Sequence, residues 1–354
     1  MTVHANLIDC IGTTPVVPLP SSLVPPGRQL FMKVEYTNPN FSIKDRTALG
    51  LVQSALAGGK LAPGGTLIES TSGNLGKSLA MLGAILGFRV IVVVDPKVSA
   101  SVLNWYRAYG AEVDLVERPD QSGGYQKARI ARVQRLLEEN PGAYWPNQYE
   151  NLDNSDYHYA TTGPEVMEDV RAIGADAVVG SVSTGGHLCG IGRWIKRDSP
   201  QTRVIASDIA GSCVFGGSFS PYLINGVGLS WRSANTDLSI FDGIVIASDV
   251  QSISVCHLVA REHGLLLGGS SGLVLFAALT ALRQDGIGSV LAILPDSGVN
   301  YLDQFYDKAW LAAKQVVPLS REQLAAELDA ARIEPAEVAE YSSGEAGEAK
   351  PVRA

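Results

Sequence analysis

The chain has 354 residues, 46% of them hydrophobic and 18% charged, enough to bury a sizeable core and to form two lobes. A formal net charge of −8, with no Lys/Arg cluster forming a stripe, argues against nucleic acid or an anionic membrane as a partner. Apolar runs such as residues 90–94 are strand-length and too short to span a bilayer, the opening residues show no secretory signal, and Cys10, Cys189, Cys213 and Cys256 have neither metal-ligand nor redox spacing, so a cytoplasmic protein without a bound metal is expected.

In chain order, Ile11-Gly12-Thr13-Thr14-Pro15 is a turn and residues 20–28 read as loop. Residues 30–36 read as a strand, Asn38-Pro39-Asn40 as a turn and residues 47–56 as an apolar-faced helix, which sets Lys44 at a strand-to-helix junction. A lysine desolvated there has a lowered pKa and becomes a Schiff-base nucleophile toward a carbonyl cofactor. A regular alternation follows: strand 66–70, helix 75–86, strand 89–95, helix 100–109, strand 112–117 and helix 124–138. After the polar, aromatic stretch 144–149 a second series begins with helix 162–173, strand 176–182, helix 188–196 and strand 203–208. Residues 211–233 form a long Gly- and Ser-rich loop, followed by strand 244–248, helices 250–262 and 272–283, and strand 289–295. The pattern predicts an α/β fold with two open, twisted, mostly parallel sheets and helices on both faces. Residues 1–45 with 151–315 are assigned to a large domain and 46–150 to a small mobile one. The extension 316–354 opens with a capping box, Ser320-Arg321-Glu322-Gln323, ahead of helix 323–332 and a disordered tail, and is a candidate to cover the active-site mouth or form a dimer contact.

Three glycine- and hydroxyl-rich turns fall where strands end and helices begin, the edge at which open α/β sheets bind ligands. Ser70-Thr71-Ser72-Gly73-Asn74 can hold a small carboxylate through backbone N–H groups and hydroxyls, or can simply cap a helix. Ser183-Thr184-Gly185-Gly186-His187 has the composition of a phosphate cradle. Asp208, roughly 20 residues on, would suit a dinucleotide's ribose, but no G-x-G-x-x-G accompanies it. Gly268-Gly269-Ser270-Ser271-Gly272 can present the Ser270 hydroxyl to a ring nitrogen, which would leave a pyridine largely unprotonated.

The order Lys44, Thr71 to Gly76, Ser183 to His187, Ser270 resembles the fold-type II pyridoxal-phosphate β-replacement enzymes, the cysteine synthase and cystathionine β-synthase family, from about Ile11 to Trp310. The resemblance implies a tryptophan synthase β-like fold, pyridoxal 5'-phosphate on Lys44, Asn74 at the ring hydroxyl, Ser183, Thr184, Gly185, Gly186 and His187 at the phosphate, and Ser270 at the ring nitrogen. It also implies that Ser70, Thr71, Ser72, Gly73 and Gln148 bind the substrate carboxylate, and that the enzyme is a homodimer acting on small amino acids.

Within that family the chain is similar to the branch that joins O-phospho-L-serine to the amine of L-glutamate, on the way to 2,3-diaminopropionate for siderophores. Ser70 and Tyr149 stand where cysteine synthases more usually have Pro and Phe. In that branch an arginine and a tyrosine matching Arg129 and Tyr149 lie near the substrate anions, and a second anionic substrate does need a cation that sulfide does not. Arg232, in the loop after Gly226-Val227-Gly228, is a further candidate anion ligand, and His187 stands where a small hydroxyl residue is commoner. The competing expectations are a cysteine synthase using O-acetylserine or O-phosphoserine with a thiol, a silent homologue that binds a peptide C-terminus, and a nicotinamide dehydrogenase.

Overall fold

The computed structural model describes residues 3–96, 98–119 and 125–336; the tail expected beyond Tyr341 and the Gly123-Gly124 lead into a helix lie outside the described residues. Strand β1 (Val16–Pro18) pairs antiparallel with β2 (Gln29–Val34), and α1 (Lys44–Ala57) follows. Then come β3 (Thr66–Ser70), α2 (Asn74–Leu86), β4 (Arg89–Val94), α3 (Ala100–Ala108), β5 (Glu112–Leu115) and α4 (Gln126–Glu139). The second series is α5 (Asp153–Tyr157), a π-helical turn His158–Thr162, α6 (Gly163–Ile173), β6 (Ala177–Ser181), α7 (Gly186–Asp198), β7 (Arg203–Ile209), β8 (Gly243–Ala247), α8 (Asp249–His263), α9 (Gly269–Ala281) and β9 (Ser289–Leu294). Helices α10 (Lys308–Ala313) and α11 (Arg321–Ala330) close the described chain.

The strands form two open sheets, a 6-stranded one in the order β1-β2-β9-β6-β7-β8 and a 3-stranded one in the order β3-β4-β5, parallel throughout except for β1. Strand residues alternate between faces, and both faces are apolar because helices cover both. In β9, Val290, Ala292 and Leu294 join the core beneath α8, α9 and α11, while Leu291 and Ile293 join the one beneath α6 and α7. The small sheet repeats this: Val90, Val92 and Val94 pack with residues of α1, α2 and α3, and Ile91 and Val93 with Val133 and Leu136 of α4. The α/β class expected from the alternation is the one observed.

Local differences have physical causes. Helix α1 starts at Lys44, three residues earlier than its apolar face suggests, because the Lys44 N–H donates to Ser42 Oγ at 3.1 Å and Asp45 sits favourably in the first turn. Residues 153–162 are helical although they carry no apolar period; they are held from outside, where Gly186 and Gly190 of α7 leave room for Asn154 and Ser155. The Ser320 capping box forms as expected, and beyond α11 the backbone of Glu334 exchanges two 2.8 Å hydrogen bonds with Ile244. The described part of the extension therefore covers the outer edge of β8, blunting an edge strand that could otherwise pair with another chain.

A buried ion network ties β2, α1 and α6 together. Arg46 binds Glu35 (Nε to Oε2, 2.8 Å) and Glu165 (Nη1 to Oε2, 2.7 Å), while Lys33 binds Glu165 and Asp169, each at 2.7 Å. Burial raises the Glu165 carboxyl, but the Arg46 and Lys33 cations outweigh it and hold the group down to about 2. Removing one partner strands a buried charge. Arg46→Met is expected to lower unfolding free energy by about 3–5 kcal/mol in urea titrations, whereas Arg89→Met, at an exposed pair with Glu112, should cost less than about 1 kcal/mol.

Candidate active site

Parallel pairing of β2 with β9 brings Lys44 to a carboxylate that is remote in sequence. Val34 pairs with Leu294 at the end of the ladder, the Ile43 N–H donates to Pro295 O at 2.8 Å, and Ser42 bridges to Asp296. Burial lowers the Lys44 ammonium to about 8, against the opposing pull of Asp296. Asp296 accepts three side-chain hydrogen bonds, from Ser270 Oγ (2.8 Å), Asn74 Nδ2 (2.8 Å) and Tyr301 OH (2.7 Å). Burial raises its carboxyl, and those donors together with Lys77 oppose the rise. Three donors on two oxygens suit the ionised form. Lys44, Asn74 and Ser270, far apart in sequence, thus converge on one residue to which the sequence alone assigns no role. Ser270 Oγ donates to Asp296 in this structure, and its hydroxyl can rotate to serve a ligand.

The segment Ser70 to Asn74 leaves β3 directly into α2, whose first residue, Asn74, reaches the carboxylate that acts on Lys44. Ser70 Oγ is buried without a partner. Thr71 Oγ1 accepts from Gly73 N at 3.4 Å, and Ser72 Oγ accepts from Arg129 Nη1 at 2.6 Å. Arg129 is itself buried and pairs with Asp95 at 3.4 Å, so helix α4 buries it where a solvated face was the alternative. Beneath the turn lies Glu69, fully buried, accepting from Trp145 Nε1 (3.1 Å), Ser70 N (2.8 Å) and Gln148 N (3.3 Å); burial raises it to about 7 against those bonds. Gln148 returns a bond from Nε2 to Ser70 O at 3.4 Å. Tyr149 is buried with its ring 5.3 Å from that of Trp231; burial raises its hydroxyl while Arg129 lowers it. Gly226 brings the long loop against Ser270, and Ser230 Oγ reaches Gln126 Oε1 of α4 at 2.9 Å. Arg232 Nε donates to Val214 O at 2.9 Å, within its own loop.

The turn before α7 is packed too closely for any side chain at its two glycines. Gly185 has φ +80°, and a Cβ there would stand 2.5 Å from Thr236 Oγ1, while one at Gly186 would stand 2.0 Å from Asn154 Oδ1. Thr236 Oγ1, Asn154 Oδ1 and His187 Nε2 are all buried without a partner, the kind of deficit a bound ligand makes good. Ser183 Oγ donates to Gly228 O at 3.2 Å, and Thr184 Oγ1 accepts from Asn154 Nδ2 at 3.4 Å. Burial, then the Lys44 cation, push His187 down to about 3, so the ring is neutral. Behind it His158 sits between Thr47 Oγ1 and Thr162 Oγ1, each at 2.9 Å, its imidazole likewise held neutral by burial.

A lysine amine made nucleophilic by burial, an unsatisfied anion turn and a hydroxyl–carboxylate pair are what a phosphorylated carbonyl cofactor requires. The chain belongs to the pyridoxal-phosphate dependent enzymes, whose family model matches residues 7–296. It is 40% identical over 310 residues, 87% of this chain and 91% of the relative, to N-(2-amino-2-carboxyethyl)-L-glutamate synthase of Ralstonia nicotianae. Among solved structures it is similar to O-ureido-L-serine synthase, at 33% identity and TM-score 0.81, covering 88% of this chain and all (100%) of that one. Cysteine synthase of Entamoeba histolytica superposes with TM-score 0.82 at 29% identity, covering 92% and 96%. The chain is therefore a pyridoxal-phosphate enzyme of the synthase type with the fold-type II architecture. No described helix is long and apolar enough to cross a membrane, and no described cluster of His, Cys, Asp and Glu could hold a metal ion.

Asp296, Glu69, His158 and Tyr301 were missed in the sequence; the one available signal was Leu294-Pro295-Asp296 ending a strand at the ligand edge. Because burial sets the Lys44 amine at about 8, condensation of cofactor-stripped enzyme with pyridoxal phosphate should accelerate as pH rises and level off above about 8. An ordinary lysine would keep accelerating to about 10.4. Lys44→Ala should leave no reducible covalent adduct, measured by borohydride trapping and intact mass.

Proposed function

We propose that this enzyme carries out a β-replacement on O-phospho-L-serine, with phosphate leaving and the amine of L-glutamate adding at Cβ to give N-(2-amino-2-carboxyethyl)-L-glutamate. When bound, pyridoxal phosphate supplies the electron withdrawal that acidifies the α-proton of an amino acid and lets the Cβ substituent depart. Lys44 holds the cofactor and, once displaced by the substrate amine, removes the α-proton and later returns it; its lowered pKa keeps a useful fraction as free base near neutrality. The backbone and hydroxyls of Ser70, Thr71, Ser72 and Gly73 hold the substrate carboxylate, and Gln148, fixed through Glu69, closes that pocket. Ser183 to His187 hold the cofactor phosphate, with Asn74 and Ser270 at the ring. Closure of the small lobe onto the large one would exclude water from the reacting Cβ. The enzyme acts as a homodimer in this reading.

The observation that carries the choice of glutamate is Arg129. A guanidinium buried beside the carboxylate turn, bonded to Ser72 and near Tyr149, is a costly feature for an enzyme whose second substrate is sulfide. The Ralstonia nicotianae relative points the same way. A cysteine synthase activity is the second reading, favoured by the close superposition on the Entamoeba histolytica enzyme.

Phosphate release from O-phospho-L-serine beyond one equivalent per site should require L-glutamate. Arg129→Met is expected to raise KM for glutamate at least about tenfold, the scale of one charge-assisted hydrogen bond of 1.5–3 kcal/mol, with a smaller effect on O-phosphoserine. Multiple-turnover release that proceeds equally well without glutamate sinks the assignment of the second substrate.

A further inference from the structure

One turn along α2 from Asn74 lies a buried cation that no step above uses. Lys77 has no exposed surface, in a helix that is otherwise largely apolar. Its Nζ donates to Asn40 O at 3.1 Å and to Asn300 Oδ1 at 3.0 Å, and stands 5.1 Å from the centre of the Trp105 ring. Asp45 and Asp296 face it as counter-charges, and even so burial lowers the ammonium to about 8. An apolar side chain would fill this position without the desolvation cost, so the charge calls for an explanation beyond packing.

The explanation lies in the direction of a hydrogen-bond chain. Lys77 Nζ donates to Asn300 Oδ1; Asn300 Nδ2 donates to Asn74 Oδ1 at 3.1 Å; Asn74 Nδ2 donates to Asp296 Oδ2 at 2.8 Å. Each amide has one donor end and one acceptor end, and nothing intrinsic to it chooses which faces a given neighbour. The termini choose. An ammonium only donates and a carboxylate only accepts, so the links between Lys77 and Asp296 are satisfied in one sense alone. Turning either amide over would set an NH2 group against the ammonium or a carbonyl against the carboxylate.

We propose that Lys77 and Asn300 are positioning residues that lock the Asn74 amide with its NH2 toward Asp296, leaving the second N–H of that group as a donor for the cofactor ring. This rests on the assignment of Asn74 to the ring given above. The lock also spans the two sheets' territories, since Lys77 follows β3 whereas Asn300 follows β9 in the 3-10 turn Gly298–Tyr301. Asn40, on the turn that carries Lys44, completes the junction.

The test uses the loaded enzyme with two substitutions. Lys77→Met removes the donor-only terminus at similar volume. Asn300→Asp keeps an acceptor for Lys77 but cannot donate to Asn74. If the lock operates, both variants change the ratio of the two tautomeric absorption bands of the lysine-bound cofactor by at least about twofold, because that ratio reports the hydrogen bond to the ring hydroxyl. Both should lose about 10–100-fold in kcat, the scale seen when a partner that orients a ligand is removed, with KM for O-phosphoserine within about twofold of wild type. A wild-type band ratio and kcat in either variant, even with a lower melting temperature, overturns the proposal and leaves Lys77 a packing residue. A colourless wild-type enzyme in the presence of pyridoxal phosphate would overturn the site assignment as well, so the two failures are separable.

Discussion

The site depends on one buried carboxylate. Asp296 has almost no contact with solvent, yet it accepts from Ser270, Asn74 and Tyr301 and lies in the field of both Lys44 and Lys77. A lone carboxylate at such a depth would be driven to its neutral form. Here donors and cations are gathered around it from four parts of the chain, and each of those groups is held in place in turn by the charge it neutralises. The gathering is a consequence of sheet order: β2 and β9 run side by side in parallel register, so the turn carrying Lys44 and the turn carrying Asp296 leave the sheet at the same end.

Around that anchor the polar groups divide by what they can exchange. The Ser183 to His187 turn combines a helix N-terminus, glycines that admit no Cβ and several unpartnered polar atoms, all suited to a dianion. His158 and His187 are both neutral, so they add donors to this region without adding charge. On the other side, Arg129 brings a cation to Ser72, partly balanced by Asp95. The contrast between a glycine turn built from neutral dipoles and an opposite side holding an arginine is the physical basis of the proposed preference for an anionic nucleophile.

Much of the fold was legible because each β-branched run, bounded by glycine or polar turns, reads the same locally as it does in the structure. Lys44 and the glycine-rich turns were legible for a related reason: Gly, Ser, Thr and Asn at strand-to-helix junctions are there for backbone geometry, which local sequence records. Asp296 was not, since a Pro-Asp pair after a strand reads as an ordinary turn until the strand beside it is known. Lys77 could not be told from a surface lysine, because its burial comes from residues at 40 and 300. Residues 153–162 show the limit most plainly, since their helical turns exist because α7 offers glycines to pack against rather than through any period of their own. Long-range strand order, invisible locally, decides which polar groups meet.

The most direct measurement is product identity under competition. Enzyme loaded with pyridoxal phosphate is given O-phospho-L-serine with equimolar L-glutamate and sulfide, and the products are resolved by mass spectrometry. The account predicts N-(2-amino-2-carboxyethyl)-L-glutamate, with one phosphate released per product. Cysteine as the sole product, with glutamate unconsumed, would contradict it.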